Sequence, residues 1–305
     1  MPSASLHALL ASSVDYAGLF PPANLALEPA LENYGRYVRA DDRWMLGAFV
    51  LPSASFEKVP ELLKPFDVEH RLSISALGPK TDSPEGFIAA LHEAAEAIRV
   101  CDARAGATAQ TTQIEMALPA QAGVPITEAA AALHGLDVPA FWEAPTDDAE
   151  RVIAFLAEHH RESGRRQFGF KLRTGGVIAS AFPSSVQIAR ALVAAAEQRV
   201  PIKFTAGLHH PVRQFHASVQ AKMHGFLNVL GAGVLVAEHG WSVQQTAAML
   251  DDEESSSFAF DEESFSWREW KIETAQIRAQ RALITSFGSC SFDEPREDLR
   301  ALGLL

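Results

Sequence analysis

Cysteine is nearly absent from this chain of 305 residues, which contains only Cys101 and Cys290. So few thiols argue against a disulfide framework and a cysteine-rich zinc site, and they are typical of a protein kept in a reducing cytoplasm. The first residues, MPSASLHALLASS, have no basic residue before a short apolar stretch and do not resemble a secretory signal. We therefore expect a cytoplasmic protein.

Positive charge and long apolar runs are also scarce. The chain has 26 lysines and arginines against 38 aspartates and glutamates, a formal net charge of −12, whereas binding to a phosphate backbone requires clustered cations. The longest nearly apolar run, residues 226–237, is broken by Asn228 and two glycines, and it is shorter than the roughly 20 residues of a membrane helix. We therefore expect no nucleic-acid partner and no membrane partner, and we expect a small-molecule substrate.

The first 250 residues alternate between short β-prone runs and longer stretches that are apolar at helical spacing. This order is typical of a parallel sheet covered by helices. We predict strands at residues 44–51, 71–77, 112–118, 139–144, 167–172 and 201–206, with further strands at 14–19 and at either 226–230 or 258–260. The regular spacing favours an α/β fold, a (β/α)8 TIM-type barrel, over an open doubly wound sheet.

A charged, serine-rich stretch, DDEESSS at residues 251–257, is the candidate boundary. We place a (β/α) barrel at residues 1–250 and a C-terminal helical extension packed on the barrel at residues 251–305. Within the extension, residues 262–285 are predicted to form one long amphipathic helix that carries Trp267 and Trp270. Its apolar face is a candidate interface for a homo-oligomer.

Four charged residues fall near the carboxyl ends of predicted strands, where barrel enzymes carry their catalytic groups. They are Glu115, Glu143, Lys171 and Lys203. Side chains alternate along a strand, and the apolar neighbours of Glu115, Lys171 and Lys203 occupy the opposite face, so these three point into the barrel. Two confined ammonium groups disfavour each other's charge, and we therefore expect one lysine to be a neutral, nucleophilic amine.

An inward amine beside acid–base groups is what a Schiff-base enzyme needs. The chain has only seven lysines, and two of them occupy these positions. Glu115 and Glu143 are then the candidates for general acid–base catalysis. The alternative interpretation is that these carboxylates simply neutralise both lysines in a structural network, because buried charges are usually paired.

Two segments carry a resemblance to a known family. GFKLRTGG followed by IKFTAGLHHPVR resembles the paired lysine segments of deoxyribose-phosphate aldolase and its class I aldolase relatives, a K-T-S-T-G strand before a K-x-x-G-G-I-R strand. The resemblance implies a barrel in which Lys171 forms the Schiff base and Lys203 lowers its pKa. Glu115 lies in a place comparable to the family's catalytic aspartate. His209 and His210 replace the family's phosphate-binding glycine turn, so its substrate does not carry over.

The GLHHPVR segment has a second interpretation. Adjacent His209 and His210 after a strand can bind a metal or act as acid and base, and Arg213 can hold an anion. Additional metal ligands would be Glu115, Glu143, His224, or Glu238 with His239. Neither H-x-H nor H-E-x-x-H spacing occurs. We therefore expect His209, His210 and Arg213 to contact the substrate, with no metal and no cofactor.

The RTGG segment at residues 173–176 directly follows Lys171, so we predict that Arg173, Thr174 and Gly175 bind the substrate. Two other glycine-containing segments, LGAG at 230–233 and SFGSCS at 286–291, are weaker candidates for an anion cradle. None of the three matches G-x-G-x-x-G or the P-loop, so nucleotide binding is not indicated.

Two further residues depend on their surroundings. Asp15 lies in VDYAGLFPPA, which either folds over the barrel mouth and presents Asp15 to the substrate or plugs the opposite end. Cys290 is expected to be an inert thiol unless a base lies close to it.

Three functions remain open at this point. The first is a lyase that acts on a small polar carbonyl compound through an imine at Lys171 or Lys203. The second is a metal-dependent isomerase, epimerase or hydrolase that uses His209, His210 and the glutamates. The third is a non-catalytic binding or assembly protein on a barrel scaffold, since barrels host many unrelated functions. The inward lysine pair favours the first.

Overall fold

The computed structural model describes residues 2–119 and 126–305. Its strands in chain order are β1 (Val14–Tyr16), β2 (Leu46–Pro52), β3 (Leu72–Leu77), β4 (Ala109–Ala117), β5 (Ala140–Glu143), β6 (Phe168–Arg173), β7 (Ile202–Thr205), β8 (Gln214–His216), β9 (Ala221–Met223), β10 (Phe258–Phe260), β11 (Ser264–Trp267), β12 (Trp270–Glu273) and β13 (Ile284–Ser289). The helices are α1 (Ala4–Leu10), α2 (Leu27–Tyr37), α3 (Pro84–Ala105), α4 (Ile126–Ala132), α5 (Ala149–Ser163), α6 (Ser185–Gln198), α7 (Phe226–His239), α8 (Val243–Leu250), α9 (Thr274–Gln280) and α10 (Asp293–Ala301).

Eight parallel strands close into a barrel in the order β1-β13-β7-β6-β5-β4-β3-β2. Helices alternate with most of these strands, and a 3-10 segment, Ser53–Leu62, takes that place between β2 and β3. The predicted TIM-type barrel is therefore confirmed. Seven of its strands, β1 to β7, overlap the runs predicted from β-prone sequence, with ends that differ by a few residues.

The eighth strand of the barrel lies at neither of the two places that the sequence predicts for it. Residues 226–230 belong to helix α7, and β10 lies in a separate three-stranded antiparallel sheet with β11 and β12. The barrel is closed instead by β13, which pairs with β1 and β7. The barrel thus extends beyond residue 250, and α9 and α10 are the helices of the C-terminal segment.

The helix predicted at residues 262–285 was wrong. This segment forms β11 and β12, the short helix α9 and the start of β13. Trp267 and Trp270 pair across the β11–β12 hairpin, and both rings contact Trp241. These tryptophans therefore pack within the chain and do not form the exposed stripe of an interface helix.

Capping residues in the sequence determine where helices begin and end, and alternation of residues along the strands turns their apolar faces away from the barrel interior. Ser184 and Gln187 form the predicted capping box of α6, and Gly164 ends α5 at φ 67°. On β6 and β7, Phe170 and Phe204 are fully buried. Alternation along these strands then directs their neighbouring lysines into the barrel. In the described parts of the chain, no helix has the length and apolar character needed to cross a membrane.

Candidate active site

Lys171 and Lys203 are direct partners in the register of β6 and β7. On the other side of β6, Lys171 is the register partner of Glu143 on β5. Neighbouring strands lie roughly 4.8 Å apart, so the barrel brings these charged side chains into one small volume. The structure thus assembles the lysines and glutamates that the sequence singled out.

Glu115 lies between the two lysines. Its Oε2 is 2.8 Å from the Lys171 Nζ, and its Oε1 accepts a hydrogen bond from the Lys203 Nζ. Lys171 also contacts Glu143 Oε2 at 3.0 Å. The Lys203 Nζ donates in addition to Asp15 Oδ2 at 2.8 Å. Each ammonium group therefore has two carboxylates as partners.

These contacts form an alternating chain of charges through the barrel. It consists of Asp15, Lys203, Glu115, Lys171, Glu143 and Arg173, with the Arg173 Nε donating to Glu143 Oε1 at 3.0 Å. Three carboxylates and three cations balance to zero net charge when all are ionised. Such pairing is what allows ionised groups to remain inside a protein. We call this set the ionic chain.

Exposure rises along the ionic chain from Lys203 to Arg173. The side chain of Lys203 is 1% exposed, that of Lys171 5%, that of Glu143 17% and that of Arg173 49%. Glu143 and Arg173 end their strands, so the exposed end of the chain lies at the carboxyl end of the barrel. Arg173 and Glu143 are therefore the most exposed members of the ionic chain, followed by Lys171.

The pKa of Lys171 shifts in the direction opposite to the one expected for a neutral amine. Burial alone lowers the pKa of Lys171, but the Glu115 and Glu143 carboxylates outweigh it and raise that pKa above its ordinary value. Burial likewise raises the pKa of Glu115, and Lys171 and Lys203 reverse this and hold it well below its usual range. Since Glu115 separates the lysines, Lys171 is a stabilised ammonium group in the resting protein.

Several uncharged groups that complete the ionic chain were missed at the sequence level. Ser75 donates to Glu115, and Gln113 and Ser286 donate to Asp15 Oδ2 at 2.9 and 2.6 Å. The Ala48 N–H donates to Asp15 Oδ1 at 2.7 Å. Gln113 lies two residues before Glu115, so strand alternation was a usable signal for that residue. Ser286 lies on the strand that was not predicted.

Asp15 is neither on a loop over the mouth nor in a plug. It lies on β1 with its side chain 2% exposed, next to a cavity of about 450 Å³ at the amino end of the barrel. Arg281 also lines this cavity, and it donates to the backbone oxygen of Ala11 at 2.9 Å. Burial lowers the pKa of Arg281 to about 10. The ionic chain thus runs from this cavity towards the carboxyl mouth.

Of the RTGG residues, Arg173 lies at the barrel mouth, and Thr174 and Gly175 lie in contacts between loops. Arg173 reaches the mouth, whereas the Thr174 hydroxyl is buried and donates to the backbone oxygen of Ala206 at 2.6 Å. A Cβ built on Gly175 would lie 2.9 Å from the Cα of Gly207, so Gly175 permits a close approach of two loops. The contacts of Thr174 and Gly175 join the loops after β6 and β7. The LGAG segment lies inside α7 and forms no loop.

The residues of GLHHPVR contact acidic side chains. His209 Nδ1 is 2.8 Å from Glu294 Oε2, and His210 Nδ1 is 2.7 Å from Asp298 Oδ2. The Arg213 guanidinium lies 3.1 Å from His224 Nδ1 and 3.7 Å from Asp251.

Within residues 2–119 and 126–305, no three or more histidine, cysteine or acidic side chains are grouped so as to hold a metal ion. His224 Nε2 is 2.8 Å from the backbone oxygen of Pro183, and His239 Nε2 is 2.9 Å from that of Lys271. These histidines therefore have protein partners away from the ionic chain. No model of a known protein family and no curated protein sequence matches this chain.

Proposed function

We propose that this protein is a lyase that acts on a small polar carbonyl compound through a Schiff base at Lys171. The observation that carries the proposal is the position of Lys171 in the ionic chain. Lys171 contacts Glu115 on its buried side and the partly exposed Glu143 on the other. Of the two lysines, Lys171 is the one that contacts Glu143, and its side chain is 5% exposed against 1% for Lys203.

The reaction begins with a proton transfer, since only a neutral amine attacks a carbonyl carbon. As the substrate displaces the contact with Glu143, the Lys171 ammonium passes a proton to that carboxylate. The amine nitrogen then bonds to the carbonyl carbon, and the protonated Glu143 gives its proton to the carbonyl oxygen. Glu143 next takes a second proton from the nitrogen and passes it to the same oxygen, which leaves as water and leaves one proton on the iminium nitrogen. Glu143 is suited to this exchange because its side chain is 17% exposed and Arg173, its second partner, lies at the mouth, whereas Glu115 is 3% exposed between two buried lysines.

The charge of the site favours the product of this step. The environment that raises the pKa of Lys171 stabilises a positive charge on its nitrogen, and an iminium ion carries that charge on the same atom. The bond that breaks joins the carbon beside the iminium carbon to a carbon that carries a hydroxyl group. Its electron pair forms a neutral enamine, the other fragment leaves as a carbonyl compound when its hydroxyl proton passes to the ionised Glu143, and the enamine carbon is later protonated by the same acid. The cost of deprotonating Lys171 is thus offset when the iminium forms.

Exchange of hydrogen for deuterium tests this function across a panel of small aldehydes, ketones and keto acids. In heavy water, an enzyme that interconverts iminium and enamine exchanges the hydrogens on the carbon beside the carbonyl, which NMR detects. We expect exchange for one carbonyl class with the wild-type protein. We expect none with Lys171→Arg, which keeps the positive charge but forms no imine.

The matched control is Lys222→Met, which removes an exposed lysine paired with Glu253 and is expected to retain full exchange. Circular dichroism of Lys171→Arg establishes that its barrel is intact. Undiminished exchange in a folded Lys171→Arg protein would overturn the proposed function, and so would the absence of exchange for every compound in the panel.

A further inference from the structure

The cavity at the amino end of the barrel lies at the opposite end from the mouth. Its buried lining includes Asp15, Gln113 and Ser286, and the exposed Ser12 and Thr112 lie at its rim. Its volume of about 450 Å³ falls within the roughly 300–1,000 Å³ that is usual for small-molecule sites. The cavity can therefore hold a small molecule without contact with the mouth.

Arg281 lines this cavity and carries a charge that no carboxylate contacts. Its Nη1 donates to the backbone oxygens of Ile284 and Thr285, and its Nη2 donates to that of Ala11. Its Nε is buried and has no hydrogen-bond partner. In the part of the chain that the structure describes, no carboxylate oxygen lies within 4 Å of this guanidinium. Its protein partners are thus neutral carbonyl groups, which do not balance a full charge.

Asp15 also lines the cavity, but its carboxylate is already used by other groups. Its Oδ2 accepts from Lys203, Gln113 and Ser286. The ionic chain, which includes Asp15, balances to zero net charge without Arg281. The charge of Arg281 is therefore additional to a balanced set. In agreement with this, burial lowers the pKa of Arg281 to about 10, and the attraction of Asp15 does not offset that effect.

Other arginines with little exposure have an acidic neighbour. Arg213, whose side chain is 16% exposed, lies 3.7 Å from Asp251, and Arg296, at 12%, lies 3.8 Å from Asp42. A charge removed from water needs such a partner. Arg281 differs from these two arginines because an open cavity lies beside it where they have a carboxylate.

We propose that this cavity is a binding site for one small anion, a carboxylate or a phosphate, that pairs with Arg281. A guanidinium suits both ligands, because its planar N–H groups match their oxygen atoms. The Ser12 hydroxyl at the rim is a further donor for those oxygens. The site is separate from the mouth, and it does not depend on a Schiff base at Lys171.

Isothermal titration calorimetry of the full chain with sodium acetate and with inorganic phosphate, at constant ionic strength in chloride, tests the site. We expect saturable binding of one anion per chain, and the tighter of the two identifies the ligand as a carboxylate or a phosphate. No saturable binding of either anion would overturn the proposal. So would binding that Arg173→Gln abolishes and Arg281→Gln leaves unchanged, since that result places the anion at the mouth.

Arginine variants locate the bound anion. Arg281→Gln is expected to weaken binding at least about tenfold, because the charge that pairs with the anion is lost. The matched control is Arg278→Gln, which removes an exposed arginine from α9 and is expected to leave binding unchanged. Equal losses in the two variants would show a general effect of charge and would contradict the assignment to Arg281.

A second pair of variants keeps Arg281 and its contacts with the backbone. Thr112→Glu places a carboxylate at the exposed rim of the cavity, where it balances the guanidinium and repels an anion. Thr112→Gln has nearly the same size and no charge. We expect Thr112→Glu to bind the anion at least about tenfold more weakly than Thr112→Gln. Equal affinities of these two variants would overturn the proposal, even where Arg281→Gln does not fold.

Discussion

Glu115 contacts both lysines of the barrel while its own side chain is only 3% exposed. If the carboxylate is lost, no water is available at this buried position to solvate the charges of the two lysines. Its loss leaves two buried cations with one carboxylate each, Lys171 with Glu143 and Lys203 with Asp15, and breaking a buried ion pair is among the most destabilising changes a single substitution can make. At the scale of a single residue, the stability of the barrel interior therefore depends on Glu115 more than on any one surface ion pair.

We predict that Glu115→Gln lowers the free energy of unfolding by about 3–5 kcal/mol, the range found when one partner of a buried ion pair is removed. Chemical denaturation at pH 7 measures this. The matched control, Glu253→Gln, removes a carboxylate from the exposed pair with Lys222 and is expected to cost about 0–1 kcal/mol. Similar losses for the two variants would contradict the assignment of Glu115 to the ionic chain.

The lowered pKa of Glu115 gives this contribution a pH dependence. A carboxylate with a lowered pKa in the folded protein stabilises it above the ordinary value of 4.5, and this is lost as the pH falls further. We expect the free energy of unfolding of the wild-type protein to decrease below pH 4.5, and to decrease less steeply for Glu115→Gln. Parallel curves for the two proteins would show that Glu115 titrates alike in both states.

At the scale of elements, His209 and Glu294 join the loop after β7 to helix α10. The pKa of His209 is raised to about 9 from an ordinary 6.5, so the folded protein binds the proton more tightly. This stabilisation is complete below pH 6.5 and is lost as the pH rises through 9. We predict a loss of unfolding free energy over this window that Glu294→Gln reduces and Glu297→Gln, an exposed site on α10, does not.

Strand β6 can carry Lys171 next to β5 only because Gly169 leaves room. A Cβ at Gly169 would lie 2.5 Å from the ring of Phe141 and 2.7 Å from the backbone oxygen of Pro201. The Phe141 ring is 5.6 Å from the Lys203 Nζ. A methyl group at this position therefore displaces Phe141 or bends the strand beneath both lysines.

We predict that Gly169→Ala costs about 1–3 kcal/mol, the usual effect of overpacking a core, and that it reduces turnover. Gly288→Ala, on β13, is the matched control. Its Cβ would meet only the Thr205 hydroxyl, at an ordinary 3.5 Å, so it is expected to change stability little. Thermal unfolding of both variants measures the difference, and equal melting temperatures would contradict this packing argument.

The elements also show where sequence patterns succeed. Strands β1 to β7 follow from alternating apolar residues at regular spacing, and that alternation placed Lys171, Lys203 and Glu115 inside the barrel. The β11–β12 hairpin was missed because its turn uses Arg268 at φ 52°, without the Asn-Gly or Gly that identifies a tight turn. Trp267 and Trp270 then matched a helical period by coincidence.

Strand β13 was missed for a physical reason as well. Its inward positions carry the small residues Ser286 and Gly288, since Ser286 binds Asp15 and Gly288 lies opposite Thr205. A strand whose inward side chains are small or polar lacks the run of apolar residues by which a buried strand is predicted. The partners of the lysines could be predicted from residue type and strand position, but the sign of the Lys171 pKa shift depended on distances that no sequence pattern contains.

At the scale of the whole molecule, the barrel closes only when β13 inserts between β1 and β7. A chain that ends at residue 250 lacks this strand and exposes two unpaired strand edges. We predict that such a chain does not unfold cooperatively in denaturant, whereas the full chain does. A cooperative transition of the 1–250 chain would contradict the closure and would support a domain boundary at residue 250.

The proposed reaction depends on one nitrogen atom in this closed barrel, the Nζ of Lys171. The most direct measurement is borohydride reduction in the presence of the carbonyl compound that shows deuterium exchange, followed by intact-mass analysis and peptide mapping. We expect a single reduced adduct on Lys171, which persists in Lys222→Met and disappears in Lys171→Arg. No adduct, an adduct on Lys203, or adducts scattered over exposed lysines would contradict it.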